Sequence, residues 1–467
     1  MEINMELTPI LNSELRDPLY AQLYFYIKTE IENGRISAGK KLPSIRQLSL
    51  HLKVSKNTVE TAYQQLLAEG YIESVPKSGM IVLELEEVES VKIPPIIHPM
   101  IIEKEHIKYD FQYGDIELEK FPYKVWKRYM NEAMDESNKS LFLYGEKEGE
   151  YELRSEISQY LYHGRGVACS PEQIVLTAGT QQAIILISQL LQLQGKSVAM
   201  ENPGYDGVRS IFSLENCIVK PISIEKDGLD VDELSKSGAE LAYVTPSHQF
   251  PLGMVMSIQK RMRLLNWAYE TDSYIIEDDY DGEFRYIGQP ITSLKSLDTG
   301  EKVIYLGTFS KSFLPAARLS YMVLPPALVS LYRDRFQSYS QSVSPIIQKA
   351  VYLFMKNGDF DRHIRRMRKI YHDKHKALLS ELEKWMGGRV EIIGQRAGLH
   401  ILLDVKDSKD EDFIQKAREK GIKVYPTRKF WLDEGRNPAS FIMLGFGGLS
   451  VEEIGDGIRE LSEAWFG

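Results

Sequence analysis

The sequence predicts an α/β protein with three parts: an N-terminal winged helix-turn-helix, a linker, and a large domain with a parallel-rich central sheet and a small C-terminal α+β subdomain. Short apolar strands alternate with longer helical patterns from about residue 111 onward, which is typical of a parallel sheet with helices on its faces. A compact pattern of two helices and a hairpin precedes them. An acidic, proline-containing stretch separates the two parts.

The N-terminal module, residues 1–83, begins its recognisable pattern with a helix start at Ser44. Gln47 follows three positions later, so the two predict a capping box, and Ser55 is predicted to cap a second helix. That second helix has apolar residues at i, i+3, i+4, i+7 and i+8, namely Val59, Ala62, Tyr63, Leu66 and Leu67. Gly70 ends it, and the segments 71–75 and 80–83 predict a hairpin.

The hydrogen-bond donors of this module suit contacts with duplex DNA. The first turn of the second helix presents residues that can read a major groove, and Lys77 at the hairpin tip could reach a phosphate or the minor groove. The groove-facing residues are Ser55, Lys56, Asn57 and Thr58. Residues 16–83 contain nine Lys and Arg against six Asp and Glu, although the whole chain carries a net charge of −9. Docking to another protein is the alternative to DNA.

Residues 84–110 are predicted to be a linker, because an acidic run is followed by prolines without helical or strand periodicity. Residues 111–467 form the predicted large domain. Its buried strands are predicted at 197–200, 241–244, 274–277 and 303–306, and its helices include 180–194, 258–270 and 345–356. The small subdomain is expected from about residue 346.

Composition limits the class of protein. The 467 residues are 43% hydrophobic and 26% charged, as in ordinary globular proteins. Two cysteines are too few for a disulfide framework or a four-cysteine zinc site, and we expect no metal. The sequence shows neither a signal-peptide pattern nor an apolar run of about 18 residues, so we expect a cytoplasmic protein without membrane attachment.

The segment GTFSKSFLPAARLSY, residues 307–321, suggests the chemistry of the large domain. Lys311 follows a predicted strand, and hydroxyls and an arginine accompany it: Thr308, Ser310 and Arg318. Upstream, Asp278 and Tyr280 are two residues apart at a strand end, so both side chains should share one face while Glu277 and Asp279 face the other way. A lysine amine, a carboxylate, a phenol and a phosphate-binding set together indicate pyridoxal 5′-phosphate (PLP).

Two further segments fit that cofactor. In QIVLTAGTQQAIILISQLL a strand, a glycine turn and a helix follow one another, so the backbone N–H groups of Gly179, Thr180 and Gln181 can cradle a phosphate. Tyr205, after the strand at 197–200, could stack on a flat heterocycle or be an ordinary core aromatic.

With the segment YGEKEGEYELRSEI (144–157), these motifs resemble the fold-type I aminotransferases over roughly residues 111–467. The resemblance implies that Lys311 forms the internal aldimine, Asp278 pairs with the pyridine nitrogen and Tyr280 with the 3-oxygen, and Tyr205 stacks on the ring. It also assigns the phosphate to Thr180, Ser310 and Arg318, with Tyr144 reaching the site of the partner subunit in a homodimer. In HQFPLG (248–253) Phe250 occupies the position of the family's asparagine, so one cofactor contact is in doubt.

The segment LPSIRQLSLHLKVSKNTVETAYQQLLAEGYI resembles the DNA-binding domain of GntR regulators, which implies that Arg46 and Lys56 contact DNA. Joined to the aminotransferase-like part, the whole chain resembles the MocR/GabR family of transcription regulators. That resemblance implies a PLP-dependent regulator that binds operator DNA and senses a small amino compound through an external aldimine. By similarity to the γ-aminobutyrate-responsive relative, Arg428 would bind an effector carboxylate, and Arg209 could replace an arginine that this chain lacks near Asp206.

Several alternatives remain at this point. The effector is an amino acid, a short dipeptide, or PLP itself. The large domain is a sensor or an active aminotransferase, and partial transamination is compatible with either. Operator sequence, target gene and the direction of regulation are not encoded in any motif discussed above.

Overall fold

A computed structural model describes residues 7–15, 17–85, 106–286, 291–405, 410–432 and 441–467. The chain divides into two compact units, Met1–Glu103 and Lys104–Gly467. Most of the predicted linker lies outside the described residues. Its last two residues, Tyr109 and Asp110, form a short strand of the second unit. A two-residue strand is too short to show the periodicity on which the prediction depended.

The first unit contains three helices and a two-stranded antiparallel sheet: α1 (Leu19–Glu32), α2 (Ile45–Leu52), α3 (Lys56–Ala68), β1 (Ile72–Val75) and β2 (Gly79–Val82). The capping box of Ser44 and Gln47 is present, and Ser55 caps α3. Buried residues of all three helices form one core with Ile72 and Val82. Helix α1 was not predicted from the sequence, although its Leu23, Ile27 and Ile31 are buried.

The second unit is organised around an eight-stranded sheet with the order β4-β11-β10-β9-β8-β5-β6-β7. Neighbouring strands from β10 through β6 are parallel, while β11 and β7 pair antiparallel. The strands are β4 (Ile174–Thr177), β5 (Ser197–Asn202), β6 (Ile218–Glu225), β7 (Gly228–Leu229), β8 (Leu241–Val244), β9 (Tyr274–Asp279), β10 (Val303–Thr308) and β11 (Ser320–Val323). All four predicted strands are confirmed.

Helices cover both faces of this sheet, so strands such as β4 and β8 are buried along their whole length. They are α4 (Tyr123–Ala133), α5 (Tyr151–Arg165), α6 (Thr180–Leu190), α7 (Asp206–Leu214), α8 (Val231–Lys236), α9 (Ile258–Glu270), α10 (Pro326–Arg335) and α11 (Pro345–Lys356). The predicted helices 258–270 and 345–356 match α9 and α11. Helix α6 ends at Leu190, four residues earlier than the apolar pattern suggested.

A second sheet occupies the C-terminal part and is antiparallel, with the order β12-β13-β16-β15. The long α12 and the last helix α14 pack against one shared core with this sheet. The elements are α12 (Asp359–Met386), β12 (Val390–Ile393), β13 (His400–Val405), α13 (Asp410–Glu419), β14 (Ile422–Lys423), β15 (Tyr425–Pro426), β16 (Phe441–Gly445) and α14 (Val451–Phe466); β14 pairs in parallel with β3 (Tyr109–Asp110). None of the described helices combines the length and the apolar character needed to cross a membrane.

Candidate cofactor site and nucleic-acid interface

A cavity of about 240 Å³ lies where β8, β9 and β10 end and α6 begins. In sheets of this kind the carboxyl ends of parallel strands are the usual place for ligands. Ten of the predicted site residues line it: Gly179, Thr180, Gln181, Tyr205, Asp278, Tyr280, Thr308, Ser310, Lys311 and Arg318. The structure therefore brings together residues that are far apart in the sequence.

Lys311 lies three residues beyond the end of β10, and its side chain is partly buried. Its Nζ is 4.0 Å from the centre of the Tyr113 ring. Burial lowers the pKa of this amine to about 8, although the charges of Asp281 and Asp115 act in the opposite direction. Gly114 makes room for the amine, because a Cβ at that residue would lie 3.2 Å from Nζ and its φ is +112°. A buried amine with a lowered pKa is a good nucleophile near neutral pH.

Side chains near the end of β9 alternate as predicted. Asp278 faces the cavity, where its Oδ2 accepts a hydrogen bond from the Tyr243 hydroxyl at 2.5 Å. Its Oδ1 is buried and has no hydrogen-bond partner within the described part of the chain. Burial raises the pKa of this carboxyl to about 7, and the bond from Tyr243 lowers it. The opposite face holds Glu277 and Asp279, which bond to backbone amides and to Arg165 respectively.

The start of α6 and Arg318 form a second wall. The residue before the helix, Gly179, has φ +104°, and a Cβ there would lie 2.4 Å from a guanidinium nitrogen of Arg318. Arg318 donates to the Ala178 carbonyl at 2.9 Å, which directs a cation toward the helix N-terminus. Ser310 donates its backbone amide to Thr308 Oγ1 at 3.1 Å, so the two hydroxyl-bearing residues lie side by side. Amides, hydroxyls and a guanidinium in this arrangement suit a phosphate.

Aromatic rings close the remaining side. Phe250 is buried against Phe430, Tyr113 and Tyr205, with ring centres 4.8, 5.1 and 5.6 Å away. Tyr280 donates its hydroxyl to the His248 carbonyl at 2.9 Å. The imidazole of that histidine lies 2.8 Å from Asp281 Oδ2 and 3.0 Å from the Tyr280 hydroxyl. Phe250 thus contributes an apolar ring to the cavity lining.

Comparison with known proteins identifies both units. Residues 19–82 match the family of bacterial regulatory proteins of the gntR type, and residues 107–443 match aminotransferase class I and II. An uncharacterized HTH-type transcriptional regulator of Bacillus subtilis, YdeL, is 42% identical over 99% of this chain and 100% of its own length. The probable rhizopine catabolism regulatory protein MocR of Rhizobium meliloti is 30% identical over 98% of this chain and 95% of its own. The chain belongs to the MocR-type family of transcriptional regulators.

Solved aminotransferases share the fold of the second unit. A multiple substrate aminotransferase from Thermococcus profundus is 25% identical, with a TM-score of 0.69 over 78% of this chain and 92% of its own. The chain is thus a MocR-type regulator in which a gntR-type DNA-binding domain is joined to a fold-type I aminotransferase domain, a fold that implies PLP dependence. The cavity fits that cofactor. The Lys311 amine, the Oδ1 of Asp278, which has no partner among the described residues, and the Gly179–Arg318 wall provide complementary groups for its aldehyde, pyridine nitrogen and phosphate.

Three predicted residues of this MocR-type chain lie outside the cavity. Tyr144 is 93% exposed, in a stretch where Phe142 and Leu143 are exposed as well. Arg428 forms an ion pair with Glu411 at 2.9 Å. Arg209 donates to the Lys429 carbonyl. The roles assigned to these three residues remain predictions.

In the gntR-type unit, the candidate DNA-contacting residues divide into two groups. Ser44 and Ser55 accept hydrogen bonds from backbone amides at helix starts, so their hydroxyls are used in capping. The Ser55 hydroxyl is also bonded to that of Thr58 at 2.8 Å. The second group is exposed: Arg46, Lys56, Asn57 and Lys77. These four side chains are the better candidates for contacts with DNA.

The sequence did not reveal several cavity residues. Tyr113 and Gly114 precede α4, Tyr243 and Thr245 come from β8 and the residue after its end, and Pro315 lies between Lys311 and Arg318. Tyr243 could have been found only from sheet order, because its hydroxyl bonds to Asp278 across the neighbouring strand β9. The glycine at 114 next to an aromatic residue was the single local signal.

Proposed function

We propose that this regulator binds PLP at Lys311 and senses a small amino compound that competes for the same cofactor, and that this competition changes its affinity for operator DNA. The observation that carries the proposal is the Lys311 amine, which lies 4.0 Å from the centre of the Tyr113 ring and has its pKa lowered by burial to about 8. PLP supplies an aldehyde that bonds reversibly to amines, so a neutral lysine amine and an incoming amine can replace each other.

The other cavity residues have positioning roles. Asp278 holds a proton at the pyridine nitrogen through its unpartnered Oδ1, and Tyr243 keeps this carboxylate in place. Tyr280 would turn its hydroxyl from the His248 carbonyl to the 3-oxygen, and Tyr205 would stack on the ring. The phosphate is held by the helix start and the cationic wall, namely Gly179, Thr180, Gln181, Thr308, Ser310 and Arg318.

The effector and the oligomeric state complete the proposal. A homodimer would cover the exposed run at Phe142, Leu143 and Tyr144, and it would allow Tyr144 to reach the partner's phosphate site. A ligand with both an amine and a carboxylate suits the proposal, because Arg428 and Arg209 are cations that could receive the carboxylate. Release of Lys311 on ligand binding would favour one domain arrangement over another, to the extent that the ligand binds the two arrangements with different affinity.

A paired measurement of absorbance and DNA binding tests the proposal. Operator fragments are first selected from a random duplex pool, and the protein is then titrated with PLP and a panel of amino acids and dipeptides. We expect the compounds that shift the visible absorbance also to change operator affinity, whereas Lys311→Ala binds DNA without responding. Lys302→Ala is the matched control. Lys302 immediately precedes β10, at the end of the strand away from Lys311, and it forms an ion pair with Asp272.

Several outcomes would contradict the proposal. A purified protein that stays colourless with PLP would do so, and so would a Lys311→Ala variant that responds like the wild type. A response to PLP alone, unchanged by any amino compound, would identify a sensor of the cofactor. Catalytic conversion of 2-oxoacids without any change in operator affinity would identify an aminotransferase.

A further inference from the structure

The second unit carries a basic surface whose residues do not line the cofactor cavity. It consists of residues 120–128, at and before α4, and residues 362–369 on α12. These two segments contain nine Lys and Arg and no Asp or Glu. All nine side chains are exposed: Lys120, Lys124, Lys127, Arg128, Arg362, Arg365, Arg366, Arg368 and Lys369. We call this surface the basic face.

The spacing of these residues places them in stripes. On α12, Arg362, Arg365, Arg366 and Lys369 stand at i, i+3, i+4 and i+7, which is one face of a helix. On α4, the same rule aligns Lys124, Lys127 and Arg128.

Contacts between the two segments make the stripes continuous. Asp359 accepts from Arg362 at 2.7 Å and lies 3.6 Å from Arg128. Arg366 donates to the backbone carbonyl of Lys120 at 3.4 Å.

Most of this charge is not neutralised. Within the described residues, ion pairs on the basic face involve only Arg128 and Arg362, and both use Asp359. Arg365 and Arg368 bond through Nε to backbone carbonyls, which leave their charge uncompensated. Glu119, Asp361, Glu132 and Asp373 are exposed neighbours at the edges, and the last two lie one helical turn beyond Arg128 and Lys369. An ordinary solvated helix face mixes both signs, and like charges one turn apart repel each other, so the pattern points to an anionic partner.

We infer that the basic face binds the phosphate backbone of DNA, as a second DNA-binding surface beyond the N-terminal domain. Charge complementarity supports DNA as the partner: the chain has a net charge of −9, so removing these nine cations leaves −18 on the remainder. Duplex DNA offers about one negative charge per 1.7 Å of its axis. A chain already held on DNA by its gntR-type domain presents this face at a high effective concentration, so even weak phosphate contacts add to affinity.

Salt dependence of DNA binding tests the inference on the full chain. The variant Lys124→Gln, Lys127→Gln, Lys369→Gln removes three charges from the basic face. The control Lys226→Gln, Lys236→Gln, Lys420→Gln removes three exposed charges elsewhere on the same unit. Binding to a mixed-sequence duplex of roughly 60 base pairs is measured by fluorescence anisotropy over a range of salt concentrations.

We expect the slope of log affinity against log salt to become shallower by about 0.9 for each phosphate that the variant no longer neutralises, in the basic-face variant and not in the control. Equal slopes for the two triple variants would overturn the inference. So would a changed sedimentation coefficient without DNA combined with an unchanged slope, which would assign the basic face to a second copy of the chain. A Lys56→Gln arm reports separately on the N-terminal domain, so a failure there is distinguishable from a failure here.

Discussion

The amine of Lys311 lies 4.0 Å from the centre of the Tyr113 ring, in a cavity that Asp278 also lines with a buried carboxylate oxygen that has no hydrogen-bond partner among the described residues. The ring covers the amine without offering it a negative charge. Desolvation therefore dominates, and the pKa of the amine falls from its ordinary value to about 8.

This lowered pKa predicts how PLP incorporation depends on pH. Only the neutral amine attacks an aldehyde, so the rate of incorporation should rise with a midpoint near pH 8 and then level off. Rates are measured by reducing the adduct at timed intervals and determining the mass of the chain. Because the unfolded chain binds more protons between about pH 8 and 10.5, Lys311 also makes the free energy of unfolding rise with pH in that window.

The control for incorporation is Lys311→Ala, which should gain no mass. A rate that continues to rise through pH 10 would show that the amine has an ordinary pKa, and the role of burial would be wrong.

The two tyrosines that donate to neighbouring aspartates on β9 allow a matched comparison. Tyr243 donates to Asp278 on the cavity face, and Tyr305 donates to Asp279 on the opposite face at 2.6 Å. Without the Tyr243 hydroxyl the pKa of Asp278 should rise further, so that less carboxylate is available to the pyridine nitrogen. We expect Tyr243→Phe to raise the dissociation constant of PLP about five- to tenfold, in line with the loss of one hydrogen bond of about 1 kcal/mol.

Tyr305→Phe should leave the dissociation constant unchanged, since its hydroxyl faces away from the cavity. Both constants follow from spectral titration. If the two variants lose affinity equally, the effect comes from general loosening of the sheet and not from Asp278.

The alternation on β9 shows how far a sequence pattern can reach. A period of two placed Asp278 and Tyr280 together, and the structure confirms that both line the cavity. A period of two carries no information about Tyr113 or Tyr243, because contacts across strands or from a distant loop depend on sheet order. Helix α1 begins without a side-chain cap, unlike α2 and α3, so only the spacing of its buried Leu23, Ile27 and Ile31 marks it in the sequence.

The glycine before α6 predicts a second effect on the cofactor. A Cβ at position 179 would lie 2.4 Å from a guanidinium nitrogen of Arg318. A φ of +104° is also one that residues other than glycine rarely adopt. Gly179→Ala should therefore displace Arg318 and raise the dissociation constant of PLP at least about tenfold, as expected when a charge-assisted hydrogen bond of about 1.5–3 kcal/mol is removed.

A Gly195→Ala variant distinguishes the effect of backbone strain from the effect of contact with Arg318. Gly195 has φ +76° and no atom within 4 Å of a built Cβ. We expect Gly195→Ala to lower stability by roughly 1–2 kcal/mol without altering PLP affinity. Equal losses of PLP affinity in both variants would refute the role of Arg318.

In the DNA-binding unit, substitutions at two neighbouring residues should affect DNA binding and stability separately. Lys56 is exposed at the start of α3, so Lys56→Gln should weaken DNA binding and make the salt slope shallower by about 1. The hydroxyl of Ser55 caps the same helix, so Ser55→Ala should cost about 1 kcal/mol of stability. Anisotropy titrations and thermal melts measure the two effects. A changed salt slope in Ser55→Ala, at a temperature where it is folded, would contradict this division.

The ion pair behind the cavity predicts the largest change in stability. Arg165 and Asp279 are buried, with 6% and 3% of their side chains exposed, and Nε lies 2.5 Å from Oδ2. Asp279→Ala leaves a buried guanidinium without its carboxylate, which costs about 3–5 kcal/mol. We expect a marked fall in the midpoint of thermal unfolding, measured by circular dichroism at matched protein concentration. Because Asp279 follows Asp278 on β9, PLP should also dissociate faster from this variant.

Two further variants decide whether charge is the cause. Arg165→Met combined with Asp279→Leu removes both charges and should recover much of the stability, since an apolar pair of similar volume replaces the buried ion pair. Glu240→Ala breaks the exposed ion pair with Lys196 and should cost less than about 1 kcal/mol. If the double variant were no more stable than Asp279→Ala, poorer packing and the missing acceptor of Tyr305 would explain the instability better than an unpaired charge.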